Sequence, residues 1–317
     1  MLTVASLLCA TALLTVPAAA SITGPVIQSN FPDPSVIQVD GMWYAFSTNS
    51  GGLNIPVATS SDFNTWTVTG KDALPTVGTW SNGRDVWAPD VIQLADGSFV
   101  LYYAALLADG STHCVATATS KSVAGPYTPQ ANALACHASE GGAIDPAGFT
   151  DADGSLYVVY KVDGNHIGHG GNCNNGVEPI VPTPIMIQRM QADGITPTGN
   201  ATQILDRGQY DGPLIEAPSL VRSAEGIYVL FFSSNCYDGG LYDTSYATAS
   251  NVLGPYTKSS SPLFVTGDPF SNLYSPEGAD VTTDGTKLVF HADLGTSAAT
   301  RQMYTAEISI NGTKVSI

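Results

Sequence analysis

Hydrophobic positions in this chain gather into short runs of aromatic and β-branched residues at 43–46, 99–103, 156–160, 227–232 and 288–290. A turn glycine precedes each run (Gly41, Gly97, Gly154, Gly226, Gly285), and another apolar stretch ends shortly upstream of it. This pattern predicts a β-hairpin, because glycine supplies the positive φ that tight turns require. A more polar strand pair follows each hairpin. Residues 57–63 run through Trp66 to Val68, 115–119 lead to Gly125-Pro126-Tyr127, and 245–249 lead to Gly254-Pro255-Tyr256. Residues 186–190 are expected to pair across Asp193-Gly194, and 303–310 across Asn311-Gly312. Nothing reads as an amphipathic helix of ten or more residues.

The turn glycines lie 56, 57, 72 and 59 residues apart. All-strand repeats of that order mean propeller blades. The fold expected is all-β: a five-bladed β-propeller with four antiparallel strands per blade. The 72-residue interval contains an irregular insertion at 163–184, rich in Gly, Asn and Pro. A loop of this length is usually functional, and it is expected over one mouth of the channel. Its His166 and His169 are either metal ligands or polar turn fillers.

Residues 1–20 carry no charged side chain and hold an apolar run at 7–16 before Pro17-Ala18-Ala19-Ala20-Ser21. The run is too short to span a bilayer, and Ala-x-Ala before Ser21 fits a signal peptide cleaved near Ala20. The n-region lacks Lys and Arg, and a buried N-terminal helix is the alternative. Residues 21–317 then form one secreted catalytic domain. The net charge of −16, with 11 Lys and Arg, argues against nucleic acid or an anionic membrane as partner. Cys9 falls in the leader, leaving Cys114, Cys136, Cys173 and Cys236. Two disulfides are expected in an oxidising compartment, Cys114–Cys136 and Cys173–Cys236 being the favoured pairing. Zinc is the competing reading, but no CxxC or clustered histidine accompanies these cysteines. Asn200-Ala201-Thr202 and Asn311-Gly312-Thr313 are glycosylation sequons.

Each repeat opens with an acid beside proline or glycine: Asp33, Asp90, Asp145, Glu216 and Glu277. At similar offsets from the turn glycines, these five are expected to ring one mouth. Clustered carboxylates raise one another's pKa values, so that one remains an acid while another acts as base. Glycoside hydrolysis needs that division. The plainer reading is that strand-initial Asp and Glu cap turns.

Taken together, Phe31-Pro32-Asp33-Pro34-Ser35, Trp87-Ala88-Pro89-Asp90, Ala143-Ile144-Asp145-Pro146, Ile215-Glu216-Ala217-Pro218-Ser219-Leu220 and Phe290-His291-Ala292 resemble the family 43 glycoside hydrolases. The resemblance covers essentially the whole of residues 21–317. It implies an inverting glycosidase in which Asp33 is the general base, Glu216 the general acid, and Asp145 the carboxylate that keeps the acid protonated and oriented. Ala217 departs from the glycine many relatives carry there. Phe31 and Trp87 are candidate sugar platforms, with inter-blade packing as the alternative for each. Arg301 is expected to reach the sugar or to form a structural ion pair. His291 is either a satisfied core histidine or a holder of a hydrated calcium or similar ion in the central channel. No cofactor is required for the chemistry. The expected partner is a plant cell-wall polysaccharide or oligosaccharide, taken by a monomer.

Arabinan or arabino-oligosaccharides are the expected substrates, with β-xylosidase as alternative. The tilt to arabinose rests on the lack of an appended β-sandwich after the propeller, a module common among the xylosidases. A catalytically inactive carbohydrate-binding propeller need not keep Asp33, Asp145 and Glu216 together. Ser60-Ser61-Asp62-Phe63-Asn64-Thr65-Trp66 loosely resembles the Asp-box of sialidases, but five arginines are too few and too scattered to clamp a substrate carboxylate.

Overall fold

The computed structural model describes residues 21–317, so the signal-peptide expectation for 1–20 lies outside the described residues. Strand β1 (Ile22–Ile27) precedes the first blade, β2 (Ser35–Val39), β3 (Met42–Phe46), β4 (Pro56–Ser60) and β5 (Thr67–Asp72). The second is β6 (Trp87–Gln93), β7 (Phe99–Leu106), β8 (His113–Ser120) and β9 (Thr128–Pro129). The third is β10 (Ala143–Thr150), β11 (Leu156–Val162), β12 (Ile185–Met190) and β13 (Thr202–Leu205). The fourth is β14 (Ile215–Arg222), β15 (Tyr228–Ser234), β16 (Asp243–Ala249) and β17 (Thr257–Lys258). The fifth joins β18 (Glu277–Val281), β19 (Lys287–Leu294) and β20 (Ser297–Glu307) to β1. A small hairpin, β21 (Ser309–Asn311) and β22 (Lys314–Ser316), ends the chain. The innermost strands touch in a closed circuit, β2 to β6, β10, β14, β18 and back to β2. This is the five-bladed propeller.

Two-sided burial explains the apolar runs. Every residue of β11 and of β15 is buried. Along β15, Leu230 and Phe232 pack against Phe149 and Val159 of the third blade, while Val229 and Phe231 pack against Leu288 and Phe290 of the fifth. Strand β7 divides likewise, Leu101 and Tyr103 facing the first blade and Val100 and Tyr102 the third. Alternate side chains point to opposite sheet faces, so a strand between two blades needs an apolar residue at every position.

The last blade differs from expectation. Its fourth strand is β1, paired with β20 through Ile22↔Ala306 and Ile27↔Met303, and not a segment beyond Asn311-Gly312. That dipeptide turns the separate β21–β22 hairpin instead. Closing the ring with both ends of the chain covers an edge that would otherwise be left unpaired. Asp193-Gly194 does form its turn, but it closes only the bridge Met190↔Pro197, and the fourth strand of that blade begins later. The Asp-box-like segment is a local turn in which Asp62 Oδ1 accepts the Asn64 and Thr65 N–H groups.

One backbone feature recurs where the inner strands enter the channel. Asp33, Ala88, Asp145, Ala217 and Gly278 have φ of 49°, 40°, 53°, 50° and 59°, the left-handed region. The ladder register slips at this point in β6, β10, β14 and β18, as at a bulge. Four of these N–H groups donate to a side chain of the preceding blade. Asp33 donates to His291 Nδ1 (2.9 Å), Ala88 to Thr48 Oγ1 (2.7 Å), Ala217 to Asp145 Oδ2 (3.0 Å) and Gly278 to Ser233 Oγ (3.0 Å). The next residue is proline in four blades and Ala279 in the fifth, and together they line a waist of about 40 Å³. On either side of the waist lie cavities of about 480 and 460 Å³.

The waist sorts the repeat acids, and it corrects the expectation that five of them ring one mouth. Asp33, Asp145 and Glu216 line the larger cavity. Asp90 stands two residues beyond its blade's left-handed residue and lines the opposite cavity with Asp280. There Asp280 ties three blades together. Its Oδ2 accepts Val36 N–H (2.8 Å) and its Oδ1 accepts the Ser219 hydroxyl (2.7 Å). Leaving a buried donor unpaired costs about 1–3 kcal/mol. Asp280→Ala, which orphans two, is expected to lower the unfolding free energy by about 2–5 kcal/mol in urea titrations, with Asp280→Asn less damaging. A midpoint unchanged in Asp280→Ala would show that the blades do not depend on this bridge.

Candidate active site

Asp33 sits at the left-handed entry to β2, and Arg301 of β20 reaches it from the fifth blade. Arg301 Nη1 donates to Asp33 Oδ1 (3.3 Å) and the Thr48 hydroxyl donates to Oδ2 (2.5 Å). Burial works to raise the Asp33 pKa, but Arg301, with His291 and the Thr48 hydroxyl, outweighs it and holds the carboxyl below its ordinary value. Asp33 is therefore ionised and can accept a proton.

Glu216 is buried on β14, in the fourth blade. Its Oε2 accepts from Lys161 Nζ (2.7 Å), and the Tyr242 hydroxyl donates to its Oε1. Lys161, wholly buried on β11, also donates to Asp163 Oδ1 (2.9 Å). Burial would lower the lysine pKa, but Asp163 and Glu216 more than reverse this, so it remains an ammonium. Burial and the charge of Glu216 push the Tyr242 phenol well up, so it stays a donor. Asp145 Oδ2 accepts the N–H of Ala217, the residue after Glu216, and so fixes the backbone that carries it. Burial, with the nearby Glu216, raises Asp145 to about 8. Asp145 thus keeps a proton at neutral pH beside the Glu216 carboxyl. One carboxyl ionised and another still protonated in the same cavity is the division that acid–base catalysis uses.

Trp87 lines the cavity, and its ring stacks on His113 at 3.9 Å and 18°. Arg301 lines it as well. Phe31 does not. It is 1 % exposed and packs with Ile27, Val36, Trp43 and Met303 in the core between the fifth and first blades. Its link to the site is indirect, through its N–H, which donates to Arg301 O (2.8 Å). The sequence offered no way to tell which of two aromatics beside a channel acid turns inward.

His291, fully buried on β19, has both ring nitrogens engaged. Nδ1 accepts Asp33 N–H, so the proton sits on Nε2, which donates to Glu277 Oε1 (2.6 Å). Burial and Arg301 push its pKa down to about 3, so the ring is neutral. Direct ligation of a cation by His291 does not fit this arrangement, since each nitrogen already has a protein partner. Among the described residues, the side chains that gather as metal ligands are Cys173, Cys236 and Asp238, and the two cysteines form a disulfide.

Both disulfides have the favoured pairing, Cys114–Cys136 and Cys173–Cys236. The second joins the 163–184 insertion to the segment after β15. Cys173, Asn174, Asn165 and Tyr237 from these segments help wall the cavity, which puts the insertion over the channel mouth as expected. Lys161, Tyr242, Thr48 and Asp163 were not singled out in the sequence. The one available signal was Lys161, a cation inside the otherwise apolar run Leu-Tyr-Val-Val-Tyr-Lys-Val. Ala217 has φ 50°, left-handed backbone that carries a penalty for any residue with a Cβ and that glycine would adopt without it.

A sequence model described as Glycosyl hydrolases family 43 matches residues 22–313. The chain is similar to extracellular endo-α-(1→5)-L-arabinanase 1 of Bacillus subtilis (strain 168), 26% identical over 275 residues that span 82% of this chain and 79% of the relative. It is also similar to an extracellular endo-α-(1→5)-L-arabinanase of Thermotoga petrophila, 31% identical over 257 residues, which are 71% of this chain but 50% of that longer relative. The crystal structure of a thermostable family-43 glycoside hydrolase superposes with a TM-score of 0.75 at 24% identity, covering 91% of this chain and 92% of the other.

Retained protons also govern stability. Asp280 is raised to about 6 and Asp145 to about 8, with burial the first cause in both, and buried Asp90 and Glu277 lie well above their usual values. A carboxyl whose folded pKa exceeds its unfolded one contributes stability at low pH that is lost as pH rises through the folded value. The melting temperature is therefore expected to fall steadily from about pH 5 to pH 8. Melting curves that are flat or rise over this range would show that these acids are not protonated in the folded protein.

Proposed function

The chain belongs to glycosyl hydrolase family 43, and from that premise we propose that it is a secreted, inverting enzyme that releases α-L-arabinofuranosyl units from arabinan or arabino-oligosaccharides. The observation that carries the reading is the cavity in which an ionised Asp33, a protonated Asp145 and Glu216 occur together. Its volume of about 480 Å³ lies within the range of small-ligand sites. The names of the Bacillus and Thermotoga relatives support arabinan as substrate and an extracellular location. Two disulfides fit an oxidising compartment, and residues 1–20 fit a leader that is removed.

In the proposed reaction Asp33 takes a proton from water as the water oxygen bonds to the anomeric carbon. Glu216 gives its proton to the glycosidic oxygen as the anomeric C–O bond breaks. Asp145 holds the backbone that carries Glu216 through Ala217 N–H. Arg301 keeps Asp33 ionised and reaches the bound sugar, and Trp87, backed by His113, is a platform for an apolar sugar face.

Glu216→Gln and Asp33→Asn are each expected to slow arabinan hydrolysis by at least about a hundredfold. A nitrophenyl α-L-arabinofuranoside, whose leaving group needs less protonation, should partly spare Glu216→Gln. Polysaccharide activity near wild type in either variant would overturn the assignment. Nitrophenyl β-D-xyloside, assayed alongside, tests the sugar.

An inverting pair stands about 6.5–9.5 Å apart, leaving room for water between base and sugar. Proton NMR of the first-formed product is expected to show the anomer opposite to the substrate's before mutarotation. Net retention, or transfer of the sugar to methanol with retention, would instead make Asp33 a nucleophile.

A further inference from the structure

Strand β11 lies between two blades, and six of its seven residues are the apolar or aromatic ones such a strand calls for. The seventh is Lys161, at 0 % exposure. Burying an ammonium costs several kcal/mol unless partners compensate, and a methionine of similar length would pack there without that cost. The partners of Lys161 are the proposed acid and one other group. Nζ lies 2.7 Å from Glu216 Oε2 and 2.9 Å from Asp163 Oδ1.

Asp163 is itself firmly seated at the root of the 163–184 insertion. Its N–H donates to Gly142 O (2.9 Å), and its carbonyl accepts His166 N–H (2.9 Å). A Cβ on Gly141 would come within 2.2 Å of that carbonyl, so the close approach requires glycine. A fixed carboxylate therefore holds the ammonium, and the ammonium holds Glu216.

We propose that Lys161 is a positioning residue for the reaction: shared between Asp163 and Glu216, its ammonium orients the acid's carboxyl and sets the upper pH limit of activity. This rests on Glu216 being the acid. The charged and titratable groups around Glu216 are Lys161 from β11, Asp145 from β10, Tyr242 ahead of β16 and Glu277 from β18, with Asp163 behind the lysine. Asp33 and Arg301 share its cavity. Among them Lys161 is the cation in direct contact with the Glu216 carboxyl. Its positive charge opposes retention of the acid's proton. The result is a carboxyl held in a fixed rotamer between Lys161 and Tyr242.

The clamp has three members, so two substitutions should act in opposite directions. Lys161→Met removes the positive charge beside Glu216. The acid then keeps its proton to higher pH, and the basic limb of kcat moves up by about one unit or more, the usual scale for an opposite charge within 4–6 Å. Asp163→Asn removes the partner that shares the ammonium, leaves its charge to Glu216, and moves the limb down. Lys161→Arg keeps the charge and should bring the limb back toward wild type. A dinitrophenyl glycoside, whose leaving group departs without protonation, should lose several-fold less activity than arabinan in Lys161→Met.

The experiment is a set of pH–kcat profiles for the full-length enzyme and these variants on both substrates, with melting temperatures as a check on folding. If Lys161→Met does not fold, the downward shift in Asp163→Asn still tests the idea. A basic limb that stays put in the variants that fold, with both substrates losing equally, would make the lysine a structural ion pair and overturn the proposal. The functional reading fails separately, through an active Glu216→Gln.

Discussion

A single backbone state organises this molecule: the left-handed residue through which each inner strand enters the channel. It turns an N–H sideways toward the preceding blade, where His291, Thr48, Asp145 or Ser233 accepts it. The same kink determines which way the following side chains face. Asp33 and Asp145 occupy the left-handed position and Glu216 the position before it, and these open to one cavity. Asp90 and Asp280, two residues further on, open to the other. A shift of two or three residues thus separates an acid at the candidate reaction centre from one that braces the ring.

Charge is allocated unevenly in this protein. With 11 Lys and Arg in a chain of net charge −16, cations are scarce, yet Arg301 lines the cavity and Lys161 is buried behind Glu216, which lines it too. Arg301 faces Asp33 and keeps it ionised against burial. Lys161 faces Glu216, while burial and Glu216 leave Asp145 protonated to about 8. Two carboxyl environments thus arise within one cavity. The carboxyls are chemically alike, and what separates them is burial and the neighbouring charge.

The blades also divide structural and functional roles. Hairpins buried on both faces provide a rigid ring, and the segments that wall the cavity hang from it. The 163–184 insertion is the longest of these, and it is held at two points. Cys173–Cys236 ties it to the fourth blade, and Asp163 anchors its root to Gly142 and Lys161. A loop restrained in this way can shape a binding cavity without the entropy cost of ordering on contact.

The sequence by itself determined the five blades and their turn glycines, and it placed an acid at the head of each inner strand. Each is written locally: a hairpin in its apolar runs and turn glycine, a channel acid in its place just ahead of an inner strand. Tertiary structure decided the rest. Which strand closed the fifth blade depended on where the two chain ends met, so β1 displaced the segment past Asn311-Gly312. Whether Phe31 or Trp87 faced the cavity depended on the backbone's direction at strand entry, and Asp90 lined the opposite cavity for the same reason. Lys161 was visible as a letter, but its meaning was not, because Glu216 lies 55 positions away and comes within 2.7 Å only when the third and fourth blades pack together. Local pattern specifies an element and the face it buries; the partner of a buried charge is chosen by packing between elements distant in sequence.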